Sequence, residues 1–254
     1  MADVGALIIR FPRIGSTMEV AGDFARQGAP HGTVVLADVQ TAGRGRQGRS
    51  WSATPGSSLL TSWILRSSDQ IAAVGALSPL VALAVARTVQ QVAPSALVAI
   101  KWPNDVLIDG RKVAGILLTS RRSEEGTVVI AGIGVNLLED AFPAGVEGTS
   151  LSEWCPDITA DRMLREVSAS LGSVWRSFKD NGCISDGDLD EIHRLMAWRH
   201  QRISVVTHGC SLDGIAAGIA HDGALLLQEA TQEEPRSLYE GQISRGPRPV
   251  DPKA

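Results

Sequence analysis

The sequence is poor in the features that mark several large protein classes. It contains three cysteines among 254 residues, Cys155, Cys183 and Cys210. They are odd in number and widely spaced, with no CxxC pair and no histidine at metal-ligand spacing, which argues against a disulfide framework and a zinc site. We therefore expect reduced, structural thiols in a cytoplasmic protein.

Long apolar runs are also absent. The longest candidate, residues 72–92, is interrupted by Ser78, Pro79 and Arg87. No run reaches the ~18 apolar residues that span a bilayer, and the N-terminus has no leader-like segment. We predict a buried helix within residues 72–92 and no membrane association.

A surplus of basic residues is missing as well. The formal net charge is −4, with 20% charged and 44% hydrophobic residues, which is ordinary for a globular protein. A general nucleic-acid binder usually has a basic balance, so that class is disfavoured. A chain of 254 residues is long enough for one large domain, alone or with a small appendage.

The most unusual segment is residues 40–51, QTAGRGRQGRSW, called the Gly/Arg segment below. Its glycines allow close backbone approach to a ligand, and its arginines suit carboxylate and phosphate oxygens. These residues are Gly43, Gly45, Gly48, Arg44, Arg46 and Arg49. The Lys-Ser/Thr pair that ends a P-loop is absent. A solvated basic loop and an Arg/Gly tract that meets RNA are alternative interpretations.

Hydrophobic periodicity predicts an α/β (α+β) fold built on a mixed, largely antiparallel sheet with helices. The predicted strands are residues 4–11, 33–39, 58–65, 97–102, 106–108, 112–118 and 127–135. The predicted helices are residues 16–27, 80–92, 160–179 and 188–198. Ser16 and Glu19 match a capping box, and Asp109 with Gly110 marks a hairpin. From residue 202, short strands separated by turns indicate a small β-barrel.

Three further segments accompany the Gly/Arg segment: KWPND at 101–105, RKVAGIL at 111–117 and GIGVN at 132–136. In this order the four segments closely resemble those of biotin protein ligases, and the resemblance runs from about residue 16 to residue 245. It implies a catalytic domain similar to class II aminoacyl-tRNA synthetases over residues 1–198. An SH3-like β-barrel over residues 199–246 and a flexible tail at 247–254 would follow.

The resemblance also implies an activity. Biotin protein ligases activate biotin with ATP and Mg²⁺ to biotinyl-5′-AMP, release pyrophosphate, and transfer biotin to one lysine of a biotin carboxyl carrier protein of a carboxylase. Many bacterial members carry an N-terminal DNA-binding module. Only residues 1–15 precede Ser16, so we expect the ligase-only form, with no DNA partner. The oligomeric state, monomer or homodimer, is left open.

Site residues are carried over from the family by position. Lys112 and Arg46 resemble the catalytic cations. Biotin-binding positions are Ser16, Thr17, Gln40, Gly43, Arg44, Arg46, Lys112, Gly115 and Gly132. Nucleotide-binding positions are Arg46, Arg49, Trp51, Lys101, Asn104, Gly134 and Asn136. Asp105 resembles a carboxylate associated with Mg²⁺. Met18 stands where the family often has Asn after Ser-Thr, so one polar contact near the site is replaced.

Two other functions are alternatives to this one. A lipoate or octanoyl protein ligase or transferase shares a related fold and also modifies carrier lysines, but the KWPND and GRGRQGRSW segments disfavour it. A nucleic-acid-binding module built on the Gly/Arg segment would show salt-dependent binding without adenylation, and the acidic balance disfavours it. We also expect the glycine-rich segment to close over the adenylate as a lid.

Overall fold

A computed structural model describes residues 3–71, 73–139, 141–142 and 148–245 of the protein. The described residues form a seven-stranded sheet with four α-helices and a second, five-stranded sheet. Residue 72 of the candidate helical run and the predicted tail at 247–254 lie outside the described residues.

The large sheet has the strand order β1-β2-β3-β7-β6-β5-β4. Its strands are Ile8–Phe11 (β1), Val34–Ala37 (β2), Ser58–Ser67 (β3), Val98–Lys101 (β4), Asp105–Ile108 (β5), Arg111–Ser123 (β6) and Gly126–Asn136 (β7). β1 and β2 are parallel, and the other pairs are antiparallel. The predicted mixed, largely antiparallel sheet is therefore confirmed.

The helices cover both faces of this sheet. They are Thr17–Arg26 (α1), Leu77–Val92 (α2), Ala160–Asn181 (α3) and Asp186–Leu195 (α4). α2 is buried at 12 of its 16 residues because it lies between the sheet and α3, as the apolar run predicted. α1 covers the opposite face, where Val35, Ile64 and Ile130 form a smaller core. No helix of the described residues is both long and apolar enough to cross a membrane.

The second sheet has the order β11-β10-β9-β8-β12 and follows α4. Its strands are Arg202–Thr207 (β8), Cys210–Ile219 (β9), Leu225–Gln228 (β10), Arg236–Leu238 (β11) and Gln242–Arg245 (β12). The main core continues into it through Ile203, Val205 and Leu225. The predicted run of short C-terminal strands is confirmed, and the boundary at 198/199 stays a prediction.

Two local predictions are wrong. Ser16 precedes α1 in an extended conformation, but its side chain makes no capping hydrogen bond. α4 ends at Leu195 rather than at Trp198, because Met196 forms a β-bridge with Ile100 on the edge of the large sheet. Contacts with the sheet decide the end of this helix, and the local pattern does not contain them.

Candidate functional site

A cavity of about 700 Å³ lies between the Gly/Arg segment, the centre of the large sheet and the end of the second sheet. This volume is within the range of ordinary ligand sites. The predicted site residues that line it are Ser16, Thr17, Gln40, Arg44, Arg46, Arg49, Trp51, Lys101, Asn104, Asp105, Lys112, Gly115, Gly132, Gly134 and Asn136. The four segments thus meet around one cavity.

Gly43 is the predicted site residue that lies outside this cavity. It lines a neighbouring groove on the outer side of the Gly/Arg segment. A Cβ at Gly43 would lie 2.3 Å from the carbonyl oxygen of Trp51, while the Gly43 carbonyl accepts a hydrogen bond from Trp51 N at 2.9 Å. Gly43 therefore allows the segment to fold back on itself.

The Gly/Arg segment is a compact loop between β2 and β3. Gly45 N donates to Arg49 O at 2.7 Å, and Gln47 and Gly48 form the bend with φ of 55° and 74°. Glycine adopts a positive φ readily, which is why a bend this tight forms at Gly48. The loop carries Arg46, Arg49 and Trp51 into the cavity.

One end of the cavity is polar and lies at the start of α1. Thr17 N and Oγ1 both donate to Gln40 Oε1, at 2.8 and 3.0 Å, and Ser62 Oγ donates to Thr17 Oγ1 at 2.9 Å. Ser16 is 1% exposed, and its Oγ has no hydrogen-bond partner among the described residues. A buried hydroxyl without a partner costs about 1–3 kcal/mol, so a polar ligand atom would stabilise this end.

The floor of the cavity is formed by three glycines of β6 and β7, Gly115, Gly132 and Gly134. A Cβ at Gly115 or Gly134 would lie 2.7 or 2.6 Å from ring carbons of Trp51. A Cβ at Gly132 would lie 2.8 Å from Met18 Sδ. The absence of side chains on this glycine floor lets Trp51 and Met18 lie directly on the backbone.

Lys112 reaches the same face as Gly115 because of a β-bulge. Val106 pairs with Ala114, and the next residue, Leu107, pairs with Lys112, so Val113 is an extra residue in β6. A bulge reverses the alternation of side chains beyond it. Without it, Lys112 and Gly115, three residues apart, would face opposite sides.

The other end of the cavity is cationic. Lys112 Nζ lies 2.6 Å from Asp105 Oδ1 and 5.3 Å from the centre of a Trp51 ring. Asp105 is the single carboxylate that lines the cavity among the described residues. The Lys112 ammonium has three N–H donors, so it can keep its ion pair with Asp105 and also donate a hydrogen bond to a ligand oxygen.

Arg46 connects three parts of the chain. Its Nη1 donates to Asn104 Oδ1 and to the carbonyl of Gly241, both at 3.3 Å. Asn104 is held in turn, because its Nδ2 donates to Ile116 O at 2.8 Å. Burial lowers the pKa of the Arg46 guanidinium from its ordinary value, while Asp105 raises it. An arginine stays charged at neutral pH, so Arg46 presents a partly desolvated cation to the cavity.

Two further predicted residues, Arg44 and Asn136, already have partners within the protein. Arg44 forms an ion pair with Glu19 of α1, which draws its guanidinium towards the outer groove. Asn136 Nδ2 donates to Thr149 O at 3.1 Å and to Lys112 O at 3.4 Å. Asn136 thus fixes the backbone of Lys112 as well as lining the cavity.

Other residues that line the cavity were not predicted. Among them are Trp198 on the linker before β8 and Gly241, Gln242, Ile243 and Ser244 at the end of the second sheet. No sequence signal connects this region to the four segments. Their position depends on how the second sheet packs against the first.

The protein has relatives and structural neighbours of known identity. It is 35% identical over 240 residues to the bifunctional ligase/repressor BirA of Bacillus spizizenii, covering 92% of this chain and 72% of that relative. It is 38% identical over 154 residues to the biotin–(acetyl-CoA-carboxylase) ligase of Mycobacterium tuberculosis, covering 58% of this chain and 56% of that relative.

A structural neighbour confirms the predicted fold. The biotin protein ligase from Aquifex aeolicus in complex with biotin and ATP superposes with a TM-score of 0.78 at 24% identity. The match covers 94% of this chain and 98% of the neighbour. Both the large sheet and the small C-terminal β unit are thus included in the similarity.

A family model gives the same result from sequence. The model of the biotin/lipoate A/B protein ligase family matches residues 10–136, which include the Gly/Arg segment, the glycine floor and Lys112. The resemblance to biotin protein ligases is confirmed, and the chain belongs to the biotin/lipoate A/B protein ligase family.

Proposed function

We propose that this protein is an ATP-dependent biotin protein ligase that forms biotinyl-5′-AMP and transfers biotin to a lysine of a biotin carboxyl carrier protein. One observation carries the proposal. A single cavity has an unsatisfied buried hydroxyl at one end and converging cations at the other, joined by the glycine floor. The relative named as a biotin–(acetyl-CoA-carboxylase) ligase supports the same assignment.

The polar end suits the ureido head of biotin. Ser16 Oγ offers a donor and an acceptor that have no partner in the described part of the chain, and Thr17 and Gln40 are held beside it by their mutual hydrogen bonds. The Met18 thioether on the glycine floor gives an apolar surface for the ring and acyl chain. Biotin bound in this way would direct its carboxylate towards Lys112, which lines the same cavity.

The first step joins two anions. A carboxylate oxygen of biotin attacks the α-phosphorus of ATP, a new O–P bond forms, and the bond to pyrophosphate breaks. Lys112 and Arg46 neutralise the charge that spreads over the phosphate oxygens. A preorganised donor of this kind is worth about 3 kcal/mol of the barrier.

The second step needs little acid–base machinery. The amine nitrogen of the acceptor lysine attacks the acyl carbon, an amide bond forms, and AMP leaves while the amine releases a proton to solvent. No histidine or cysteine lines the cavity within the described part of the chain. None is required, because a mixed anhydride is reactive once the amine is positioned and water is excluded.

The site suits a Mg²⁺ ion that would be held jointly by one protein carboxylate and the phosphate oxygens of the nucleotide. The described residues contain no group of three or more His, Cys, Asp or Glu that could hold a metal ion. One carboxylate with phosphate oxygens is an ordinary Mg²⁺ donor set, and Asp105 provides that carboxylate. Bound there, Mg²⁺ would supply further neutralisation of the phosphate charge.

A labelling experiment separates biotin from lipoate. The protein is incubated with ATP, Mg²⁺ and an unmodified biotin carboxyl carrier protein, with either biotin or lipoate. We expect the carrier mass to rise by one biotinyl group only when biotin and ATP are both present. A carrier with Arg in place of the acceptor lysine is the control.

The expected selectivity has a physical reason. The dithiolane ring of lipoate has no strong hydrogen-bonding group and would leave Ser16 Oγ unsatisfied. Lipoyl transfer at a rate equal to biotinyl transfer would contradict the proposal, and so would labelling without ATP.

A further inference from the structure

Trp198 lies on the linker between α4 and β8, and its side chain lines the cavity. Lys101 Nζ lies 5.5 Å from the centre of its ring. An ammonium at this distance over an indole face is attracted by the quadrupole of the ring. The linker thus provides the surface against which Lys101 rests.

The backbone of Trp198 is held in an uncommon conformation. Its φ is 58°, in the left-handed region that bulky residues rarely adopt. The neighbouring Ala197 N donates to Ile100 O at 2.9 Å, and His200 N donates to Ala216 O at 2.8 Å. Attachments to both sheets therefore fix the linker on either side of Trp198. Strain of this kind is concentrated at functional sites.

Lys101 belongs to a turn that is also bonded by a second cation, Arg46 of the Gly/Arg segment. Asn104 N donates to Lys101 O at 3.2 Å, and Asn104 Oδ1 accepts from Arg46 at 3.3 Å. Trp102 Nε1 donates to Gly223 O of the second sheet at 3.1 Å, which anchors the turn from the other side. Two cations converging on one turn form a favourable site for a polyphosphate chain.

We propose that Trp198 is a positioning residue for ATP: its indole face holds the Lys101 ammonium where the phosphate chain binds. This inference rests on the proposed function. An uncharged aromatic face attracts an ammonium without neutralising it. Trp198 therefore holds the Lys101 ammonium at the cavity without itself neutralising the charge.

Biotin-dependent exchange between ATP and pyrophosphate on the full chain tests this role. We expect Trp198→Leu to raise the KM for ATP about fivefold, in line with a partly buried cation–π contact, and to leave the KM for biotin unchanged. Trp198→Phe keeps an aromatic face and should stay within about twofold of the unsubstituted protein. In a Lys101→Met background, Trp198→Leu should add no further effect.

The chain offers a matched control. The Arg111 guanidinium lies 5.8 Å from the Trp154 ring, outside the cavity, so Trp154→Leu removes a similar contact and should leave the KM for ATP unchanged. Trp198→Asn is a second ring-free variant, because Asn tolerates the left-handed backbone. Thermal unfolding of each variant identifies any loss of folding.

Three results would overturn the inference: an unchanged KM for ATP in both ring-free variants, an equal rise in the KM for biotin, or an undiminished effect in the Lys101→Met background. Absence of exchange by the unsubstituted protein is a different outcome. It would contradict the proposed function and remove this inference with it.

Discussion

Lys112 is the residue on which the proposed chemistry depends most. The Lys112→Met substitution keeps the length of the side chain and removes its charge, so adenylation should fall by about 100- to 1000-fold. Thermal stability should also fall, because Asp105 Oδ1 is buried and would lose the Lys112 ammonium as its ion-pair partner. Steady-state exchange kinetics and thermal unfolding measure the two effects.

Arg121 provides the control for Lys112. It lies on the same strand, β6, but is exposed and outside the cavity. Arg121→Met should leave adenylation unchanged. If Lys112→Met were as active as Arg121→Met, the catalytic role of Lys112 would be wrong.

The placement of a residue at the cavity was predictable from sequence where it depends on neighbouring segments. The KWPND and RKVAGIL segments place Asp105 and Lys112 close together in the chain, and the hairpin between them brings the two side chains to 2.6 Å. Ser16 was predicted both as the cap of α1 and as a biotin-binding position, and only the capping prediction is wrong. Its hydroxyl is buried beside the cavity with no hydrogen-bond partner among the described residues.

The central element is the glycine floor of β6 and β7. Gly134→Ala would place a Cβ 2.6 Å from the Trp51 ring, and the rigid indole would have to move. A misplacement of about 1 Å in a site costs on the order of 100-fold in rate, so adenylation should fall by that order. Exchange kinetics measure the loss, and circular dichroism checks that the fold is kept.

Gly187 provides the control for the Gly134→Ala substitution. It lies in α4, where an added Cβ would meet nothing within 4 Å. Gly187→Ala should raise the free energy of unfolding by up to about 1 kcal/mol through helix propensity and leave activity unchanged. An active Gly134→Ala variant would show that Trp51 need not lie on the floor.

The Gly/Arg segment is the element expected to move. Most residues of its 43–50 stretch are partly or fully exposed, and its backbone bonds mainly to itself. With biotin and ATP present, amide hydrogen exchange in residues 43–50 should slow, while the exposed turn at His208 and Gly209 should not respond. Equal exchange with and without ligands would contradict a lid role.

Most elements were predicted because strand alternation and helical periodicity follow local burial. The exceptions lie at tertiary contacts. The end of α4 was predicted at Trp198, but the chain leaves the helix at Leu195 so that Met196 and Ala197 can bond Ile100. The bulge at Val113, which turns Lys112 into the cavity, has no sequence signature of its own.

At the scale of the whole molecule, the second sheet completes the cavity. Gly241 accepts a bond from Arg46, and Gly223 accepts one from Trp102. A small C-terminal β unit was predicted from its short strands and turns. Its contribution to the cavity was not, because the contacts span up to 195 positions and depend on packing between the sheets.

The stability of the whole molecule should depend on pH through His31. His31 Nδ1 accepts a hydrogen bond from Arg66 N at 3.0 Å, and its ring stacks on Trp175. Burial lowers the pKa of His31 from its ordinary 6.5, and the positive charge of Lys179 lowers it further. Below pH 6.5 the unfolded chain binds a proton that the folded protein resists, so the free energy of unfolding should fall as pH decreases.

Above this range both states are neutral at His31 and its contribution is constant. Urea unfolding between pH 7.5 and about 5 should show this slope, and His31→Gln should reduce it. His208→Gln, at an exposed histidine, is the control. An identical pH dependence in the unsubstituted protein and His31→Gln would contradict this account.

The most direct test of the central claim is to identify the nucleotide bound by the protein after incubation with biotin, ATP and Mg²⁺ in the absence of a carrier. We expect the unsubstituted protein to hold biotinyl-5′-AMP, detected by mass spectrometry of the released ligand, and Lys112→Met to form less of it by about 100-fold or more. Recovery of unreacted ATP and biotin alone from the unsubstituted protein, or equal adenylate from Lys112→Met, would contradict this claim.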